Sequence, residues 1–314
     1  MSTPKTPSFN YGGQAVIEGV MMRGSKAFSV AVRDPNNNII THTEKLNASF
    51  YGGWFVKIPF LRGLTLLWDA LGLGTRSLMF AAQVAMPEEE KGEAAQAFSG
   101  PAQVGMVLTS LALAIGLFFV LPAFLSKQVP QWLSLELTPL VINLIEGIIR
   151  LTLLVGYIWA IGLIPDVKRL YGYHGAEHKT INAYEAGAEL TPAEVARFPL
   201  EHPRCGTAFL LTVVILSILL FTLLPAVFTE NILLRLVSRV IFIPIIAGIG
   251  YEFIRFTASH QKNPLIRLII KPNLALQRLT TREPDMGMLE VAITAFNEVL
   301  ASEFGERVEE KVVA

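Results

Sequence analysis

The segment His174-Gly175-Ala176-Glu177-His178 places two imidazoles and a carboxylate within five residues. On an α-helix, histidines four positions apart project from one face, one turn apart, so both rings can reach a common metal ion. Glu177 falls between them in angle, where a carboxylate can act as general base on a metal-bound water, the arrangement of the inverted zinc-peptidase motif. His202 and Cys205 follow, three positions apart. Three of the five histidines and the sole cysteine thus fall within 32 positions. Nitrogen and sulfur donors together predict a divalent transition metal, with zinc first. Two outcomes stay open. If His174, His178, His202 and Cys205 all ligate, the site is closed and structural; if water keeps one position, it is catalytic with Glu177 as base. A metal-free alternative makes Cys205 a thiolate, its pKa lowered at a helix N-terminus beside Arg204.

Elements must hold these groups at a particular depth, because the chain is strongly apolar. It is 52% hydrophobic and only 17% charged, against about a quarter charged in an ordinary soluble domain. Four runs meet the roughly 20 apolar residues needed to cross a bilayer, at about 103–125, 139–164, 207–228 and 232–256. The fold class predicted is a mainly α, polytopic membrane bundle with a small N-terminal cytosolic β element. Lys and Arg cluster before the first run, between the second and third, and after the fourth. The other two connections carry almost none. By the positive-inside rule both termini and the central loop are cytosolic, which keeps Cys205 on the reducing side. No signal peptide is expected from the first residues. The 26 basic and 26 acidic residues cancel, so no net field points to nucleic acid. The partners expected are the lipid bilayer and a cytosolic protein.

Outside the runs, residues 26–48 alternate as a strand pair, with Phe28, Val30 and Val32 on one face and a turn at 35–38. Residues 54–86 read as amphipathic interfacial helices, 87–102 as a solvated linker, 263–299 as cytosolic helices broken at Pro284-Asp285, and 307–314 as a tail. In the central loop, 165–206, a helix carrying the histidines is expected to end near Ala186 with Gly187 as its cap. Thr191-Pro192-Ala193-Glu194 then has the pattern of a capping box.

A second polar group lies inside the runs. Asn143, Glu146 and Arg150 share one helical face, and Glu252 sits with Arg255 near the end of the fourth. Such groups point inward and pair. They either line a polar cavity for a headgroup or ion, or lock the bundle, and Glu252 can alternatively complete the metal site from the membrane side.

Two segments resemble a known family: Gly12-Gly13-Gln14-Ala15-Val16-Ile17-Glu18-Gly19-Val20-Met21-Met22-Arg23-Gly24, and Tyr173-His174-Gly175-Ala176-Glu177-His178-Lys179 with His202-Pro203-Arg204-Cys205-Gly206-Thr207. They are similar to the YqhQ-like bacterial membrane proteins, a family of unknown function sometimes described as predicted metal-dependent enzymes. The resemblance runs from about residue 10 to 300 and implies a bacterial inner-membrane protein with the metal residues as above; it supplies no substrate. In the glycine-rich segment, Gly12, Gly13 and Gly24 permit tight turns. Glu18 is then either a third ligand or a supporting partner of the ion, or it pairs with Arg23 or the central loop in a folded cap. Three functions follow as expectations: a metal-dependent hydrolase acting on a membrane-associated substrate, a scaffold with a structural metal clip, and a transporter or channel using Glu146, Arg150 and Glu252. The span pattern has no internal repeat, which disfavours the third.

Overall fold

The computed structural model describes residues 11–51, 53–87, 100–223 and 231–304. Nearly all of the expected linker, the end of the expected third span and the expected tail lie outside them.

Four strands form an antiparallel meander in the order β1 (Gly12–Val16), β2 (Gly19–Arg23), β3 (Ala27–Arg33) and β4 (Ile39–Lys45). The expected pair is β3 and β4, with Phe28, Val30 and Val32 on one face as anticipated. The glycine-rich segment is a further hairpin rather than a set of turns: Gly13 pairs with Met22 and Val16 with Gly19. Glu18 turns the chain at φ 51°. Strand residues alternate between two buried faces. Val20, Met22 and Ala31 face one cluster while Val16, Met21, Phe28, Val30 and Val32 face the other, so β2 and β3 are packed on both faces, while the edge strand β4 is largely exposed.

Helices cover both faces. On one lies α2 (Gly74–Ala85), which follows the short α1 (Gly63–Trp68). On the other lie the histidine-bearing helix and the C-terminal helix, defined below. Their contact is a continuous core in which Tyr173, Ala176, Ile181, Leu289, Ala292 and Phe296 are buried.

The apolar runs become helices. Among the described residues, three are long and apolar enough to cross a membrane: α3 (Val104–Leu133), α4 (Pro139–Ile161) and the run Leu233–Ser259. The last comprises α8 (Ile232–Ile241) and α9 (Ile243–Ser259), separated where Pro244 follows. Between α4 and α8 come α5 (Pro165–Glu185), the single turn α6 (Pro192–Val195) and α7 (Gly206–Thr222). The helix α7, at 17 residues, is shorter than the roughly 20 a span requires, and the rest of that expected run lies outside the described residues. The chain ends in α10 (Pro264–Thr280) and α11 (Met286–Phe304), separated near Pro284 as expected. Large apolar side chains such as Leu108, Leu113, Ile148 and Leu219 stand exposed on the bundle, as a lipid-facing surface would require.

The segment around α1 joins sheet to bundle. Gly63 packs on Gly248 of α9, Arg62 pairs with Glu252, and Arg23 of β2 pairs with Asp69 at 3.1 Å.

Candidate metal centre

The helix α5 starts at Pro165, whose fixed φ suits a first helical turn. It ends at Glu185, and Gly187 follows in the left-handed region at φ 73°. Its Gly187 N–H donates to Tyr184 and Ala188 N–H to Ala183, a C-terminal turn that a Cβ would strain. Thr191 precedes α6 as expected, but its side chain makes no capping bond. The carbonyl of Arg282 passes 2.2 Å from where a Cβ on Gly175 would stand. A glycine between the histidines therefore lets the chain after α10 pack directly on α5.

The packed chain orients both rings. His174 Nδ1 lies 2.8 Å from the Thr280 carbonyl, and His178 Nδ1 lies 2.5 Å from the Leu200 carbonyl. A carbonyl only accepts, so each Nδ1 carries a proton, and in the neutral ring each Nε2 presents a lone pair. His174 Nε2 lies 3.2 Å from Cys205 Sγ, and His178 Nε2 is buried with no hydrogen-bond partner. Cys205 comes from the other side as the N-cap of α7, its sulfur accepting from Thr207 N–H and facing the Thr207 hydroxyl at 3.1 Å. One donor atom each from His174, His178 and Cys205 falls within 4.8 Å of the others.

His202 is brought close but is not in that group. Its ring centroid is 5.6 Å from that of His178, while its backbone is clamped on both sides by the buried Gln277 amide. Its Nε2 lies 3.9 Å from Glu185, which pairs with Arg204. Glu177 is beside the group: its carboxylate is 4.0 Å from His174 Nε2 and accepts the backbone N–H of Gly13.

Charge follows this geometry. Burial pushes the Cys205 thiol up, but the facing imidazoles of His174 and His178 outweigh it and hold the thiol well below its ordinary range. Burial likewise opposes the His174 imidazolium, yet the facing sulfur and Glu177 raise it to about 9. Burial raises the Glu177 carboxyl above its ordinary value, against the pull of both histidines. The His174 and Cys205 shifts both follow from the close approach of ring and sulfur, and the proton these two share must leave before both atoms can ligate an ion. An electron-rich sulfur beside two oriented imidazoles is the donor set that fits a zinc-like ion.

The remaining predicted residues lie elsewhere. Glu18 receives two hydrogen bonds from Arg169 and one from Tyr173 Oη at 3.1 Å, which fastens the first hairpin to α5. Glu252 is held by Arg62 and by the Phe60 N–H, away from the histidines. Asn143, Glu146 and Arg150 are buried on one face of α4, where the structure adds two arginines. Glu146 bonds Arg150 at 2.7 Å, Arg235 at 2.8 Å and Arg239 at 3.0 Å. The remaining guanidinium bonds go to neutral acceptors, among them Ser126, Ser217 and the Phe118 carbonyl. This arrangement ties α3, α4, α7 and α8 together. Arg235 and Arg239 lie near the start of the fourth apolar run, and their pairing with Glu146 depends on helix packing, which residue spacing does not report. Sequence reasoning also missed Thr280, Leu200 and Gln277, which act through backbone carbonyls or a neutral amide and carry no spacing signal.

Comparison with known proteins agrees with the motif resemblance. The family model described as "Protein of unknown function (DUF1385)" matches residues 58–302. The "Uncharacterized protein YqhQ" of Bacillus subtilis (strain 168) is 36% identical over 315 residues, covering 96% of each chain. No solved structure matches the chain. The protein belongs to the DUF1385 family.

Proposed function

We propose that this is a membrane-embedded, metal-dependent hydrolase whose site faces the cytosol close to the bilayer. His174 Nε2, His178 Nε2 and Cys205 Sγ would hold the ion, zinc by the chemistry of the donors. A single observation carries the reading: both Nδ1 atoms are committed to backbone carbonyls, which leaves both Nε2 atoms to ligate in the group that one sulfur completes. Orientation of ligating histidines by a second hydrogen bond is the usual companion of metal binding.

Three donors leave a fourth position, the feature that separates catalytic zinc from structural zinc. The ion, when bound, supplies a water that ionises near neutral pH. Glu177 sits beside that position with a raised carboxyl pKa, so it can take a proton from the attacking water and return it to the leaving group. His202 stays outside the close group, its backbone held by the Gln277 amide.

Sidedness rests on the Lys and Arg asymmetry, with bundle insertion supported by three helices of spanning length. The bacterial relative supports a bacterial cytoplasmic membrane. The test is Glu177→Gln in purified protein and in cells. Loss of cellular function with the metal retained supports hydrolysis, whereas full function with the metal retained makes the site a structural clip.

A further inference from the structure

A cavity of about 560 Å³ lies between the sheet, the joining segment and the ends of α7 and α9. The volume falls within the range of small-molecule pockets. Its walls have two characters. Arg23, Arg204 and Arg255 bring three guanidinium groups against one carboxylate, Asp69, which already pairs with Arg23. Arg204 is engaged by Glu185, outside the cavity, and Arg255 is solvent-exposed near the end of α9. The opposite wall is apolar, with Phe209 of α7 and the buried Ile254 of α9. Phe209 is half-buried and Ile254 buried, so both offer apolar surface inside the cavity.

The cavity adjoins the candidate metal centre by two routes. Arg204 immediately precedes Cys205. Gly12, which also lines the cavity, immediately precedes Gly13, whose N–H is accepted by Glu177. The cavity lining thus includes the chain neighbours of Cys205 and of the residue that Glu177 binds.

We propose that this cavity is the substrate pocket of that site and takes a lipid with a phosphate-bearing headgroup, its phosphate on the arginines and the start of its chain along α7 and α9. Guanidinium groups match phosphate through paired N–H donors. An apolar opposite wall favours an amphiphile over a free ion, because the chain gains burial that a soluble phosphate does not. The assignment as substrate rests on the hydrolase reading; the assignment as a lipid site does not.

Binding is measured on the full-length Glu177→Gln protein in detergent, which removes turnover. The probes are phosphatidylglycerol, diacylglycerol and glycerol 3-phosphate, which supply headgroup with chains, chains without phosphate, and phosphate without chains. Phosphatidylglycerol is expected to bind at least about tenfold more tightly than either, and adding Arg255→Gln is expected to weaken it about tenfold, the effect of losing one charge-assisted contact. Arg255 is exposed, so that change leaves the fold intact, and an unchanged melting temperature confirms it. Equal affinity for diacylglycerol, or no effect of Arg255→Gln, overturns the proposal. Equal affinity for glycerol 3-phosphate overturns its lipid part in favour of a soluble phosphate compound. Lipid binding as expected, with no hydrolysis of any phospholipid by the metal-loaded wild type, overturns the hydrolase reading and leaves the lipid site standing.

Discussion

Replacing Gly13 by alanine is expected to damage the candidate site through a single methyl group. A Cβ built there stands 2.5 Å from the Met21 carbonyl oxygen, 2.9 Å from Glu177 Cγ and 3.0 Å from Glu177 Cδ. The carbonyl belongs to the neighbouring strand and the Glu177 side chain is buried, so neither can swing aside. Restoring ordinary contact near 3.4 Å moves the strand by about 0.9 Å relative to its neighbours. Overpacking of this kind costs roughly 1–3 kcal/mol, a large share of the ~5–15 kcal/mol that holds a typical domain. At roughly 2–4 °C per kcal/mol, melting should fall by between about 2 and 12 °C. The adjacent Gly12 is the control, since a Cβ there meets nothing within 4 Å and its φ is not positive. Gly12→Ala should be neutral or stabilise by up to about 1 kcal/mol. Tryptophan fluorescence melts of the three proteins, prepared in one detergent, compare them directly. Equal melting of Gly13→Ala and Gly12→Ala would refute the packing of the hairpin against Glu177.

Other consequences are equally open to measurement. Glu146→Gln removes the carboxylate shared by Arg150, Arg235 and Arg239. Leaving buried guanidinium groups without it should cost about 3–5 kcal/mol, seen as loss of monodisperse protein on size exclusion; a wild-type profile and melt would contradict the pairing. Glu18→Gln weakens a partly exposed clamp on Arg169, so stability should change by no more than about 1 kcal/mol while metal content stays unchanged; loss of metal would instead make Glu18 a ligand. Glu303 tethers α11 to the β2–β3 turn through Ser25 and Lys26 and to the start of β1 through Tyr11. Burial opposes its charge, but these donors outweigh it and depress its pKa. A depressed carboxyl stabilises above its unfolded pKa and loses that effect as pH falls through the folded value. Wild type should therefore melt above Glu303→Gln at pH 7, with the gap closing below about pH 4; a gap independent of pH would contradict this.

Much of this molecule could be read before its fold was known, and the limit has a physical cause. Helices reveal themselves through local periodicity and caps, so α4, α5 with its Gly187 terminus, and the break near Pro284 were all legible. The β3–β4 pair was legible from strict alternation. The β1–β2 hairpin was not, because its glycines resemble turn residues until Gly13 is seen pressed between Met21 and Glu177. Within the candidate site, residue type and spacing brought out His174, His178 and Cys205, but spacing alone gave His202 equal standing. Only the tertiary structure shows the His202 backbone held by Gln277 and its ring beside Glu185, outside the close group. The positions of Glu18 and Glu252 were undetermined for the same reason: a carboxylate's partner is chosen by packing across hundreds of residues, as with Glu252 and Arg62.

X-ray absorption at the zinc edge, with metal quantified on the same purified protein, tests the central claim most directly. The account predicts about one transition-metal ion per chain, with two nitrogen neighbours near 2.0–2.1 Å, one sulfur near 2.3 Å and one light-atom neighbour. The signal should vanish in Cys205→Ser combined with His174→Ala and persist in Glu177→Gln. Wild-type protein from zinc-replete cells that holds no stoichiometric transition metal, or that holds one without a sulfur neighbour, would contradict it.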